Sequence, residues 1–168
     1  MDSLIKLNVG SGPKKVEGYK NLDRNYFEGV DYICDAWFTP LDANTVSDIY
    51  CRQVLEHFDR EETVKVFNEW KRILVNGGKI KVEVPDLLFA CKQIQMPGKS
   101  QWLPQKTNYE HAYSSIFGWE VGRKNMMHKQ GFTNKDIKVL FTINGFVNVE
   151  IDETARECDI VLTCEVSK

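Results

Sequence analysis

The residues best equipped for chemistry fall into two groups. One is a glycine and carboxylate series near the amino end: Gly10, Ser11 and Gly12 in "KLNVGSGP", Asp23 in "NLD" and Asp35 in "YICDA". The other is the three histidines, His57, His111 and His128, whose side chains can exchange a proton near neutral pH. A glycine has no β-carbon, so a ligand can lie directly on backbone N–H groups there. A carboxylate at the next strand end can accept hydrogen bonds from both hydroxyls of a ribose. A further acidic residue one strand away can accept from an exocyclic amine such as that of adenine. Taken singly these signals are weak: a G-x-G is more often just a tight turn, and either aspartate could cap a loop or end a strand in solvent. Their joint spacing points to a pocket for an adenosine-containing ligand.

To converge, these residues must sit at the carboxyl ends of neighbouring strands, where open α/β sheets bind their ligands. The sequence supplies such strands. Leu4–Val9 reads as a buried first strand ended by the glycine turn, a short second strand ends near Asp23, and Asp31–Ala36 reads as a third. A fourth covers Asp48–Cys51. A helix is predicted over Asp59–Leu74, with capping-box spacing at Asp59 and Glu62 and an apolar face of Val64, Phe67, Trp70 and Leu74. Asn76–Gly78 should stop it, and "KIKVEVPD" then alternates with period two as a fifth strand.

Thr133 and Asp136 open another helix that Gly145 closes, and Val147–Ile151 and Cys158–Val166 face each other across "DETARE" as an antiparallel pair. "QMPGKSQWLPQKTNYEH" lacks periodicity and reads as a long loop able to close over a substrate, with "FGWEVGRKNMM" beside it. The early connections are too short for crossover helices, since a whole crossover takes at least about ten to twelve residues. The expectation is an α/β sheet with one face thinly covered near its start, a surface suited to a second copy in a homodimer.

Bulk properties narrow the function classes. The 168 residues suggest one domain, 1–168, with a real core. A net charge of −2 gives no positive field to track phosphates, so nucleic acid is disfavoured as a partner. No apolar run approaches the length that spans a bilayer, and no membrane partner is expected. The five cysteines, Cys34, Cys51, Cys91, Cys158 and Cys164, include no CxxC pair, so no metal is expected from them; they read as reduced thiols of a cytoplasmic protein.

A dinucleotide fingerprint needs a third glycine where this chain has Lys15, and "PKK" opens no clear helix, so NAD is disfavoured. Over most of its length the sequence resembles the class I S-adenosylmethionine-dependent methyltransferases, especially a small branch associated with sugar or polysaccharide pathways. The resemblance is carried by "LNVGSG", "NLD", "LDANTVSDIYCRQVLEHF", "EWKRILVNGGKIKVEVPD" and "HKQGFTNKDIKVLFTINGF". It implies a Rossmann-like class I methyltransferase fold, mostly parallel with a C-terminal antiparallel hairpin; this chain's short connections leave its early crossover helices trimmed. It also implies S-adenosyl-L-methionine as cofactor and methyl transfer to a small acceptor, with a non-catalytic cofactor-binding member as the alternative.

By the same resemblance, Gly10, Ser11 and Gly12 would line the methionine part and Asp23 would hold the ribose diol. Asp35 and the Ala36 N–H would meet adenine, while Arg52 and Gln53 would border the transferable methyl. His128 would lie on the acceptor side as base or acceptor ligand, with His57 and His111 as further candidates. Glu56 would orient a neighbour, and Asp86 would end a strand or cap the next helix. Two departures stand out: the missing third glycine and the missing early helices.

Overall fold

The computed structural model describes residues 3–118 and 126–168. The stretch from Trp119 to Asn125, part of the expected substrate-side segment, lies outside the described residues. Seven strands form one sheet: β1 (Ile5–Val9), β2 (Lys20–Asp23), β3 (Tyr32–Ile33), β4 (Val46–Arg52), β5 (Leu74–Pro85), β6 (Phe146–Ile151) and β7 (Asp159–Val166). Their order is β3-β2-β1-β4-β5-β7-β6. The first five run parallel, and β7 pairs antiparallel with both β5 and β6. The expected mostly parallel sheet with a terminal antiparallel hairpin is the observed one. The third strand is shorter than its apolar run suggests: only Tyr32 and Ile33 pair, against Leu22 and Asp23.

Helix α1 (Arg60–Ile73) begins as predicted, with the reciprocal Asp59–Glu62 capping box formed. Its buried stripe is Thr63, Val66, Phe67, Trp70 and Ile73, and Val64 is left 41% exposed. Steps of three drift by about 60° around a helix of 3.6 residues per turn, which carries Val64 off the face that Phe67 and Trp70 share. Phe67 then packs against Trp70, Phe141 and Phe146, at ring-centroid distances of 5.8, 4.6 and 5.1 Å. Through these contacts α1, helix α4 (Asn134–Ile143) and β6 share one core on one side of the sheet.

The "NGG" segment does not cap α1. Leu74 ends the helix in extended backbone, and the chain passes directly into β5. Gly77, at φ +73, falls where the register with β4 slips from Val46↔Leu74 to Asp48↔Lys79. The left-handed residue therefore serves a bulge inside the strand.

Two further helices fall where the sequence suggested a loop or only a cap. Asp86 accepts hydrogen bonds from the Leu88 and Phe89 N–H groups and opens α2 (Leu87–Gln93). Thr107 and Glu110 form a second capping box and open α3 (Asn108–Phe117). Gln93 and Asn108 on these helices enclose a buried polar cluster with Ser100 and His111.

No helix occurs between β1 and β4 among the described residues. On the sheet positions that alternate with the core, polar groups hold one another. The Tyr50 hydroxyl donates to Glu83 at 2.9 Å, Arg52 and Lys81 approach the same carboxylate, and Lys6 approaches Asp48. A parallel sheet normally buries both faces; this one keeps a solvated, charged face where a crossover helix would lie.

Glu69 ties α1 to the loop after β3. Its Oε1 accepts from both the Thr39 N–H and the Thr39 hydroxyl, and Arg72 donates to both of its oxygens. Burial alone would raise its pKa, yet the hydrogen bonds from Arg72 and Thr39 hold it below the usual 4.5. A depressed folded-state pKa means that this stabilisation is complete above about pH 4.5 and is lost as pH falls through the lowered value. Glu69→Gln is expected to lose about 1.5–3 kcal/mol at pH 7 and to flatten the acid limb of stability against pH. Urea unfolding from pH 3 to pH 7 measures both; an unchanged acid limb would remove Glu69 from the acid response.

Candidate active site at the carboxyl ends of the strands

The glycine loop and Asp23 come together as the sequence suggests. The Ser11 N–H donates to the Leu22 carbonyl at 3.0 Å, and the Gly12 N–H donates to Asp23 Oδ2 at 2.8 Å. Asp23 Oδ1 accepts from the Asn25 N–H at 2.8 Å, so the carboxylate is fixed between the two loops. An ionised carboxylate offers about four lone-pair positions, which leaves acceptor capacity for a diol.

The two glycines have different tasks. Both have positive φ, +66 at Gly10 and +53 at Gly12. A β-carbon on Gly10 would lie 2.2 Å from Val54 Cγ2, whereas one on Gly12 would meet nothing within 4 Å. The space freed at Gly10 is thus filled by the segment that follows β4, and Gly12 is the one that faces open space. Gly10→Ala is expected to lower the thermal midpoint by several degrees, because it adds a clash to a strained backbone. Differential scanning calorimetry checks this; an unchanged midpoint would contradict the Val54 packing.

Asp35 stands beyond β3, with Oδ1 3.5 Å from Arg24 and its side chain 38% exposed; Ala36 beside it is buried. Arg52 at the end of β4 is engaged by Glu83 at 3.2 Å. Gln53 adopts φ +55, donates its N–H to the Glu83 carbonyl and reaches Asp159 through Nε2 at 3.2 Å. The acidic and glycine residues therefore gather at neighbouring strand ends, while the Arg52 guanidinium is held by Glu83.

A second constellation lies just past β4, in a 3-10 turn over Leu55–His57. The Glu56 carbonyl accepts from the Lys129 and Gln130 N–H groups, which wraps the 128–130 segment onto this turn. His128 is fixed by its N–H to the Phe117 carbonyl and by the neighbouring bridge between Gly118 and Met127. Gly118, at φ +81, makes that bridge feasible, since a β-carbon there would lie 2.0 Å from the Met126 carbonyl oxygen. The His57 and His128 rings meet edge to face at 4.9 Å.

Each of these two imidazoles has its Nδ1 on a backbone carbonyl: His57 on Met127 at 3.2 Å and His128 on Ser115 at 2.9 Å. A carbonyl only accepts, so both rings carry the proton on Nδ1 and leave Nε2 as a lone pair. Glu56 is 1% exposed, and neither of its carboxyl oxygens has a hydrogen-bond partner. Burial pushes its pKa up to about 8 and that of His128 down to about 4, and lowers that of His57 as well. The sequence named Glu56, His57 and His128 separately. That they converge depends on the 128–130 segment returning to the turn, a contact with no local signal.

His111 does not join them. It lies in the polar cluster between α2 and α3, with Nδ1 2.8 Å from Ser100 Oγ and 3.1 Å from Gln93 Nε2. Among the described residues no helix is long and apolar enough to cross a membrane.

Residues 11–82 match the family model of the methyltransferase domain. No curated protein matches the sequence. Among solved structures, an S-adenosylmethionine-dependent methyltransferase of Methanosarcina mazei is similar over 99% of this chain and 94% of its own, at TM-score 0.61 and 11% identity. The 1,6-didemethyltoxoflavin-N1-methyltransferase of Burkholderia thailandensis, solved with 1,6-didemethyltoxoflavin and S-adenosylhomocysteine, aligns at TM-score 0.66 and 12% identity. That alignment covers 99% of this chain and 72% of the other. A Thermotoga maritima methyltransferase, described as a possible histamine N-methyltransferase, aligns at TM-score 0.64 and 15% identity over 98% of this chain and 83% of its own.

At these identities the structures show the fold, that of the class I methyltransferases. The match over residues 11–82 supports a methyltransferase, and the similar structures include ones solved with S-adenosylmethionine or S-adenosylhomocysteine.

Proposed function

We propose that this chain acts as a single domain that transfers the methyl group of S-adenosylmethionine to a small acceptor, a sugar or related metabolite. The observation that carries the reading is the Gly12 N–H bound to Asp23 at adjoining strand ends. Asp23 takes the ribose diol, Asp35 and the Ala36 N–H take adenine, and the backbone at Ser11 and Gly12 lines the methionine part. Gly10 supports that loop by admitting Val54. Gln53 borders the methyl group, and Arg52 stiffens the strand end through Glu83.

Methyl transfer is an in-line displacement at the sulfonium carbon. The acceptor's lone pair forms the new bond, the C–S bond pair returns to sulfur as a neutral thioether, and the acceptor sheds a proton. Alignment supplies several kcal/mol of the barrier. His57 and His128 present unprotonated Nε2 atoms and contact the acceptor as base or as ligand. The sugar-like acceptor is supported by the family resemblance and by the exposed aromatic row Tyr109, Tyr113 and Phe117 on α3, the helix whose end anchors His128. Aromatic faces of this kind stack on sugar rings.

His128→Ala is expected to lower turnover at least about tenfold, in the range that a positioned acid–base group contributes. S-adenosylhomocysteine affinity should stay within twofold. Steady-state kinetics with an acceptor library and calorimetric titration check the two halves. Unchanged turnover would take His128 out of the reaction. The Asp23 contacts also fit a non-catalytic cofactor-binding member, which would show a clean isotherm and no methyl release with any acceptor.

A further inference from the structure

We propose that Glu56, His57 and His128 form a binding site for one divalent transition-metal ion beyond the carboxyl end of β4. The donor and acceptor account of this cluster does not balance. Both Nδ1 hydrogens are spent on the Met127 and Ser115 carbonyls, so each ring is left with its Nε2 lone pair as the free ligand atom. The buried Glu56 carboxyl has no hydrogen-bond partner on either oxygen. His128 Nε2 stands 4.0 Å from Glu56 Oε1, too far for a hydrogen bond between them. Two imidazole nitrogens left without a proton and a buried carboxyl without a partner make a cluster of metal-ligand types that no other group among the described residues satisfies.

The geometry agrees. One ligand atom from each of the three residues lies within 4.8 Å of the others. Bonds of about 2.0–2.2 Å to a shared ion place ligand atoms roughly 3–3.5 Å apart, a closure that side-chain torsions can supply. A histidine that donates Nδ1–H to a carbonyl is held in the tautomer that ligates through Nε2, and here two histidines are held so. Two imidazoles and one carboxylate suit Mn²⁺, Fe²⁺, Co²⁺ or Zn²⁺ better than Mg²⁺ or Ca²⁺.

Three protein ligands leave coordination positions open for water or for an oxygen of a bound molecule. An acceptor hydroxyl placed there would be polarised and aligned, with His128 as ligand and not as base. That role rests on the methyl-transfer reading, whereas ion binding does not.

The test is a titration of chelator-stripped protein with CoCl2, followed by calorimetry and by visible ligand-field absorption, with no cofactor or acceptor present. The expected result is one Co²⁺ per chain with histidine-type bands. His57→Ala and His128→Ala should each weaken binding by more than the roughly 10–100-fold that loss of an outer-shell partner costs. Glu56→Gln keeps the shape and should weaken it similarly.

If a variant fails to fold, imidazole ¹⁵N shifts of the wild-type chain on addition of ZnCl2 decide the matter: Nε2 of His57 and His128 should move together. No saturable binding, or binding that survives in the His57→Ala/His128→Ala double variant, overturns the site. S-adenosylhomocysteine titrated separately keeps a failure of the cofactor reading distinct from a failure of the metal site.

Discussion

Replacing Asp23 with alanine is expected to weaken S-adenosylhomocysteine binding by about two to four orders of magnitude in calorimetric titration. Two ribose hydroxyls donating to one carboxylate make charge-assisted hydrogen bonds, worth about 1.5–3 kcal/mol each when the acceptor is charged. Asp23 is nearly buried, at 8% exposure, so solvent replaces those bonds poorly. The same change strips the Gly12 and Asn25 N–H groups of their acceptor and loosens the loop proposed to line the methionine part. Asp23→Asn retains size and an acceptor oxygen and should fall between the two. Asp35→Ala should cost less, because that side chain is 38% exposed and already shares Arg24 with solvent. Equal affinity for wild type and Asp23→Ala would remove the ribose contact from the account.

Phe67→Ala should destabilise the fold by about 3–5 kcal/mol, the range for deleting a fully buried aromatic ring. Phe67 is 0% exposed and touches Trp70 on its own helix, Phe141 on α4 and Phe146 on β6. Among the described residues no helix lies between β1 and β4, and this aromatic cluster joins α1, α4 and β6 in one core. Phe141 and Phe146 already meet at 5.1 Å, so the cavity closes only if α4 or β6 shifts toward α1. Urea unfolding at constant m-value measures the loss. A change below about 1 kcal/mol would mean that the site relaxes freely, contrary to the packing described.

Local sequence signals account for part of this structure and fail at identifiable places. The Asp59–Glu62 capping box and the period-two run before Pro85 are short-range patterns; they delivered α1 nearly to the residue and the carboxyl-terminal part of β5, which begins at Leu74 and not at Lys79. Helix α3 carried the same kind of signal at Thr107 and Glu110, but two prolines and a glycine just upstream masked it. The "NGG" segment was misplaced because a left-handed glycine serves a helix stop and a strand bulge equally well. Only the pairing with β4 distinguishes them.

The site divides in the same way. Gly12 and Asp23 are separated by a short stretch and could be paired by strand-end logic alone. The Gly10 contact with Val54 could not, because it depends on how the chain turns after β4. The convergence of His128 on Glu56 and His57 spans some seventy positions, close to the 70 that separate His57 from its carbonyl partner at Met127. It is enforced by backbone hydrogen bonds from Lys129 and Gln130 that leave no compositional trace.

The most direct measurement is a crystal structure of the chain with S-adenosylhomocysteine. The ribose hydroxyls are predicted to lie within hydrogen-bond distance of Asp23, the adenine amine beside Asp35, and the sulfur on the side of His57 and His128. Ligand density elsewhere on the molecule, or an empty strand end at saturating ligand, would contradict the account.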